Sequence, residues 1–346
     1  LIDVISVKIS SICSQLSLID HAHSLDRLKN ALRRLYKQAL AHNKFVNLDM
    51  EEYKDLRLTV QLFQEVLSEP EFLHLSAGIA IQSYIPDSFA LQQELTQWAI
   101  KRCNSGGAPI KIRIVKGANL GMERVEASIK EWPQAPYKQK EEVDANFKKM
   151  LHFGLQKEHA KAVHIGIGSH NLFDIAYALV LASEHSLESY VTIEMLAGMA
   201  PHILRVLPKI WKNVLLYLPC AKKEEFHNAI AYLMRRLDEN TAPNNFLTHL
   251  FGLATTTRAW QEQKEHFSAS CLESDAICTA PRRTQNRRIL THKEAALGHF
   301  TNEPDTDFSL SQNQLWAQEI SNEWQTQYHE LSLAIGGHTL VSSEIA

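Results

Sequence analysis

Residues Pro109–Asn119 read PIKIRIVKGAN. Ile112 and Ile114 alternate with Lys111, Arg113 and Val115, the period of two that marks a β-strand with one aliphatic and one largely polar face. The strand follows a helical stretch over Phe89–Arg102, closed by the Gly106-Gly107 loop and Pro109. Helix, loop and strand in that order recur along most of the chain, and this recurrence decides the fold.

Upstream, Ile5, Val7 and Ile9 alternate with Ser6, Lys8 and Ser10 in a first strand over Val4–Ser10. A helix over Ser24–Ala41 follows, with Leu25, Leu28, Leu32 and Leu35 at helical spacing. Phe45–Glu51 is a second strand, with Asn47, Asp49 and Glu51 on its polar face, and Leu56–Leu67 is helical again. A third strand centres on Ile79 and Ile81 and carries Gln82. Downstream of Asn119 a long connection contains Trp132, Pro133 and Pro136, followed by a helix over Lys140–Lys157. The fifth strand, Val163–Gly168, ends at Ser169-His170-Asn171. Helix Leu172–Glu184 then leads to a sixth strand, where Val191, Ile193 and Met195 oppose Thr192, Glu194 and Leu196. Helix Pro201–Trp211 precedes a seventh strand, Val214–Pro219.

Seven strands alternating with helices indicate a parallel sheet wound with crossovers. A doubly wound sheet buries both faces in aliphatics and shows continuous apolar runs. Here nearly every strand is aliphatic on one face and small or polar on the other near its C-terminal end. That pattern predicts a (β/α)8 TIM-type barrel of the α/β class, with its polar residues at the mouth. The expected inward set is Lys8, Asp49, Gln82, Arg113, His170, Glu194 and Tyr217. One strand is missing, the first, and the chain opens on Leu1 rather than Met, so the expectation is a fragment of a longer protein.

The chain has 346 residues, 45% of them apolar and 22% charged, which suits a globular protein with one large core. A net charge of −3 without a long basic tract argues against a nucleic-acid binder. The five cysteines are odd in number and scattered, and Cys271 and Cys278 lack zinc-site spacing. No apolar run approaches a membrane span, and the start shows no signal peptide. From about Gly252 the alternation stops: Asn302–Asp307 reads as a turn-rich linker and Ser311–Glu330 as a helix with Leu315, Ile320 and Trp324. The expected division is a barrel over 1–253 and a mostly irregular or helical linker over 254–346.

One helix, expected over Lys222–Asn240, has two distinct faces. Phe226, Ile230, Leu233 and Leu237 form an apolar stripe, while Tyr232, Arg235, Arg236 and Glu239 share another face. For an isolated helix the ordinary reading of the second face is solvent. The alternative is a clamp for a small carboxylate, because guanidinium forks bind carboxylates bidentately and keep their charge.

The motifs SVKIS, NLDMEE, AIQSY, IRIVKGA, GSHN, EMLAGMA, LLYLP and YLMRRLDEN follow one another on successive strands and the last helix. In that order they resemble the proline dehydrogenase domain of bifunctional bacterial proline utilization A, over about Ile2–Leu253. The segment NEPDTDFSL (Asn302–Leu310) is similar to the approach to that enzyme's second half, an NAD-dependent glutamate-semialdehyde dehydrogenase. The resemblance implies a (β/α)8 barrel with FAD over its mouth, oxidising L-proline to Δ1-pyrroline-5-carboxylate by hydride transfer to flavin N5. NAD would serve only the absent half.

Carried over by matching position, the resemblance assigns Lys8, Arg235 and Arg236 to the proline carboxylate. Tyr217, Tyr232 and Leu196 would pack on its ring, and Asp49 would anchor the basic cluster. Arg113 would lie by flavin N5, Gln82 would bond the flavin ring, and Glu239 would support the cofactor side. Lys116, Gly117, Ser169, His170 and Asn171 would contact the rest of FAD. The family's last helix lies across the mouth, which turns the Tyr232–Glu239 face into a clamp. Two departures stand out: Asn119-Leu120 occupy positions where the family usually has Tyr-Trp, and the first barrel strand is absent. The resemblance also implies a quinone acceptor, a homo-oligomer, and a cytoplasmic location with peripheral contact at the inner face of the membrane. Two competing expectations are a metal-dependent barrel hydrolase, using His21, His23, His170, His202 and Asp49, and a catalytically incompetent fragment.

Overall fold

A computed structural model describes residues 2–241, 245–250, 252–289, 302–327 and 332–340. Leu1 and the end of the expected C-terminal helix, residues 328–330, lie outside them. Seven strands form one parallel sheet in sequence order: β1 (Val4–Lys8), β2 (Phe45–Asp49), β3 (Gly78–Gln82), β4 (Ile110–Val115), β5 (Val163–Gly168), β6 (Val191–Leu196) and β7 (Val214–Tyr217). The sequential order is that of a barrel wall, since every crossover returns the chain beside the strand it left.

Strand parity follows the sequence pattern. Leu48, Ile79, Ile81, Ile112, Ile114, Ile165 and Ile193 are buried beneath the surrounding helices. Those helices present matching stripes, such as Leu28, Leu32 and Tyr36 on helix His21–His42 and Leu62, Phe63 and Val66 on helix Leu56–Leu67. Local chemistry fixes several helix ends. The Asp20 carboxylate accepts the His23 amide and opens the first helix, and the Asn171 side chain accepts the Phe173 amide at 2.9 Å and opens Leu172–Glu184.

The other face is concave, and the sheet is a curled barrel wall lacking one strand. In register, Lys8 faces Asp49, Ala80 faces Arg113, Arg113 faces Gly166 and Leu196 faces Tyr217. Among the described residues β1 pairs only with β2 and β7 only with β6, so the wall stays open between them. Glycine makes the concave side passable at one place in particular. A Cβ at Gly166 would stand 2.3 Å from Glu194 Oε1 and 3.3 Å from Arg113 Cβ. Only a residue without a side chain leaves room there for two long charged neighbours.

The structure departs from the periodicity reading at several points, beginning with the first strand, which ends at Lys8 and passes into a helical turn over Ile9–Ile12. The connection after Asn119 contains a helix, Leu120–Ile129, whose apolar residues Met122, Val125 and Ile129 are exposed. The helix expected over Lys222–Asn240 divides into a 3-10 turn, Lys223–Ala229, and an α-helix, Ile230–Thr241. Lys222 offers no side-chain cap there, and tighter turns are common at such starts. The tail also contains a helix, Arg258–Glu273, that docks against the barrel through aromatic rings. Phe173 lies 4.9 Å from Trp260 and 5.6 Å from Phe267, centroid to centroid. Further on, the buried Arg283 guanidinium sits between the rings of Tyr53, at 5.0 Å, and Trp132, at 4.7 Å. Among the described residues no helix is long and apolar enough to cross a membrane.

The close approach at Gly166 gives a direct test of concave-face packing. Gly166→Ala is expected to lower unfolding free energy by about 1–3 kcal/mol, the usual cost of overpacking. Unchanged stability in a denaturant titration would show that Glu194 has space to move aside.

Candidate active site at the open ends of the strands

Burying a guanidinium is costly unless charge and hydrogen-bond partners surround it. Arg113, from the middle of β4, is buried on the concave face and meets partners from four other strands. Its Nη2 donates to Ser6 Oγ of β1 at 2.9 Å and pairs with Asp49 Oδ1 of β2. Its Nη1 lies 3.6 Å from Glu194 Oε2 of β6, and its guanidinium carbon lies 4.7 Å from the centre of the Tyr217 ring of β7. Burial works against the Arg113 charge, but Asp49 and Glu194 outweigh it and push the pKa above its ordinary value. The Tyr217 hydroxyl is pushed up too, by burial first and then by Glu194.

Lys8, at the end of β1, is held by Glu51, with Nζ 2.7 Å from Oε1. Ser10 donates to the other oxygen of that carboxylate. Glu51 lies two residues beyond Asp49 on the polar face of the expected strand, so its position was readable, but its pairing with Lys8 was not anticipated. Gln82 Nε2 donates to the Glu51 carbonyl at 3.1 Å, and Asn119 Nδ2 donates to the same oxygen at 2.6 Å. Asn119 thereby ties the loop after β4 to the loop after β2.

Helix Ile230–Thr241 presents its charged face to the protein. The Arg236 side chain is 15% exposed, and its Nη2 lies 2.6 Å from Glu239 Oε1. Its guanidinium carbon sits 4.9 Å from the centre of the Tyr232 ring. The apolar stripe faces outward, with Phe226 56%, Ile230 50% and Leu237 57% exposed. The usual direction of an amphipathic helix is thus reversed. Tyr232 is pushed up by burial, opposed by Arg236, and also feels Asp49, so the helix shares one electrostatic environment with the strand ends. Burial likewise raises Glu239 against the pull of Arg236 and then Arg235.

The turn after β5 is organised by short bonds. Ser169 Oγ accepts the Asn171 amide at 3.1 Å, and His170 Nε2 accepts the Leu196 amide at 3.0 Å. That bond makes Nε2 the acceptor and leaves the ring proton on Nδ1. Burial pushes His170 down to about 4, and the nearby Arg236 charge adds to the shift. His170 is therefore neutral at neutral pH and anchors β6. Lys116 turns away from this group, towards the helices, where Nζ lies 2.6 Å from both Asp144 Oδ1 and Asp174 Oδ2. Gly117 has φ +121°, and a Cβ there would stand 2.5 Å from Tyr84 Cδ1, so its backbone lies directly on that ring.

Of the residues singled out from sequence, Lys8, Asp49, Gln82, Arg113, His170, Tyr217, Tyr232 and Arg236 gather at or beside the strand C-termini. Leu196 ends β6 opposite Tyr217, and Arg235 and Glu239 share the half-buried face of the last helix. Lys116, Ser169 and Asn171 sit in the supporting loops behind. Periodicity passed over Ser6 and Lys111, both on the inward parity of their strands. The expected hydrolase ligands do not converge: His21 Nε2 bonds Gln61 Oε1 at 2.8 Å, away from His170. Among the described residues no three His, Cys, Asp or Glu side chains are placed to hold a metal ion.

The fold and its mouth define an α/β barrel protein whose polar and aromatic residues meet at the strand C-termini. The proline dehydrogenase family matches residues 2–249, and the chain belongs to that family. It is 24% identical over 261 residues to the bifunctional protein PutA of Klebsiella aerogenes, covering 71% of this chain and 19% of that protein. The Escherichia coli PutA is 25% identical over 258 residues, with the same coverage. Among solved structures, PutA from Corynebacterium freiburgense is 40% identical with a TM-score of 0.79, covering 92% of this chain and 30% of that one. PutA from Bdellovibrio bacteriovorus inactivated by N-propargylglycine is 28% identical with a TM-score of 0.78, covering 99% and 33%. The chain thus spans less than a third of the Corynebacterium protein and about a fifth of the two curated relatives.

The His170 environment predicts an acid-sensitive contribution to stability. Its folded pKa of about 4 lies below the ordinary value near 6.5, so the unfolded chain binds the proton first. Stability is then fully present above about pH 6.5 and falls as the pH drops towards 4, by ~3 kcal/mol at most. His170→Gln is expected to flatten the stability profile in that window. A profile identical to the parent's would contradict the assignment.

Proposed function

We propose that this protein oxidises L-proline to Δ1-pyrroline-5-carboxylate with FAD as its cofactor. The observation that carries the reading is the pairing of a buried, oriented Arg113 with the inward-turned Arg236 face of helix Ile230–Thr241. Family membership supplies the reaction, and the chemistry of the mouth fits a flavin and a small amino acid. Several buried polar atoms there lack partners: Gln82 Oε1, Arg113 Nε, Tyr217 Oη, Tyr232 Oη and Arg236 Nε. Unpartnered donors and acceptors from four elements suit a ligand that offers both.

FAD, when bound, supplies the hydride acceptor. In this reading Arg235, Arg236 and Lys8 hold the substrate carboxylate, and Tyr217, Tyr232 and Leu196 enclose the ring. Three cations around one carboxylate fix the substrate's orientation, the proximity contribution to rate. Glu51 holds the Lys8 ammonium at the end of β1. Asp49 keeps Arg113 in place, and Gln82 and Arg113 would hold the flavin ring, where a fixed cation would favour its electron-rich reduced form. Gly117, Ser169, His170 and Asn171 would hold the rest of the cofactor, and Glu239 would support the cofactor side. Lys116, paired with Asp144 and Asp174, holds the loop that carries Gly117. His170 is given no role as a base, because its Nε2 is engaged by Leu196. A quinone acceptor, peripheral membrane contact and a homo-oligomer belong to the same reading of the longer protein.

Two outcomes test it. Purified protein is expected to take up FAD and to lose its oxidised-flavin absorption when L-proline is added without oxygen; a protein that binds no FAD contradicts the proposal. Arg235→Met or Arg236→Met removes a charge-assisted contact, worth about 2–5 kcal/mol where a buried partner is left unpaired. Proline affinity and turnover should fall together while flavin is retained. Parental kinetics in both variants would return that face to a structural role.

A further inference from the structure

Beneath Arg113 the concave face continues with a second charged pair. Lys111 lies two residues earlier on β4, on the same side, and its Nζ is 2.6 Å from Glu194 Oε1. The other Glu194 oxygen lies 3.6 Å from Arg113 Nη1, too far for a hydrogen bond but close for two charges in a buried site. Both Lys111 and Glu194 are buried, so solvent screens them little. Gly166 leaves the carboxylate its space: any side chain there would meet Glu194 first. Two cations, Lys111 and Arg113, thus face two carboxylates, Asp49 and Glu194, and the cluster is neutral.

We infer that Glu194 is a positioning residue that sets the electrostatic field at the flavin by holding Arg113 from below and balancing Lys111. The inference rests on the reading of the mouth as a flavin site. Asp49 fixes the guanidinium from the β2 side, together with Ser6. Tyr217 covers its face, and Glu194 supplies the remaining counter-charge from β6. Arg113 Nε remains unpartnered. The net charge behind the guanidinium is therefore chosen by the Lys111–Glu194 balance rather than by Arg113 alone. Reduced flavin is richer in electrons than oxidised flavin, so surplus positive charge in this layer favours reduction and surplus negative charge opposes it.

Charge variants of opposite sign separate this role from packing. Glu194→Gln leaves a positive charge uncompensated and is expected to raise the flavin midpoint potential. Lys111→Met leaves a negative charge uncompensated and is expected to lower it. Each shift should reach about tenfold in the reduction equilibrium, about 30 mV for a two-electron couple. The double variant should return close to the parent, and Lys111→Arg, which keeps the charge, should stay there. Where a variant binds flavin weakly, the same shift is read from the ratio of its affinities for oxidised and reduced FAD. Shifts of equal sign in the two single variants, or potentials unmoved in flavin-loaded protein, would overturn this inference alone. A parent protein that takes up no flavin would overturn the reading beneath it as well.

Discussion

The buried guanidinium of Arg113 is the constraint on which the concave face depends. Neighbouring strands lie about 4.8 Å apart, so in a flat sheet β1 and β7 would each lie roughly 14 Å from β4. Yet Arg113 bonds Ser6 of β1 and stacks on Tyr217 of β7. Both contacts exist only because the sheet curls around the side chain. The curl in turn aims the strand C-termini at one another, so that a charge that needs partners and a fold that needs curvature are satisfied together. Asp49 and Glu194 supply the counter-charge, and Gly166 supplies the room.

Around that centre, two devices hold the mouth in place. One is the ion-pair group behind the loops, where Lys116 joins Asp144 and Asp174 while Lys140 and Lys148 approach the same carboxylates. Burial opposes the Lys116 charge, but the two aspartates prevail and keep it protonated. The loop after β4 is thereby fastened to helices Lys140–Gly154 and Leu172–Glu184, the second of which begins at the Ser169–Asn171 turn. The other device is helix Ile230–Thr241, which turns guanidiniums inward and aliphatics outward. A helix oriented that way gains little from apolar burial.

Much of this was legible in the chain. The aliphatic face of each strand is packed by helices, so a period of two survives in IKIRIV and VHIGIG, and the strand positions follow from it. The polar parity of those same strands brought Asp49, Gln82, Arg113, Glu194 and Tyr217 forward as an inward set. Parity ends where the strand ends, which is why the direction of Lys116 could not be read: one residue beyond β4 the chain turns, and the side chain goes to the helices. Helix Arg258–Glu273 was missed because it docks with Trp260 and Phe267 rather than with a stripe of aliphatics. Helix Leu120–Ile129 was missed because its apolar residues face outward. The inward face of Ile230–Thr241 came from resemblance, since its own amphipathic pattern points the other way.

A crystal structure of the protein loaded with FAD and a non-reactive carboxylate analogue of proline tests the central claim most directly. The account predicts the flavin ring against Arg113 and Gln82 on the concave face, with the analogue's carboxylate between Lys8 and the Arg235–Arg236 pair. A flavin bound elsewhere, or an Arg113 that leaves Asp49 and Glu194 to point into solvent, would contradict it.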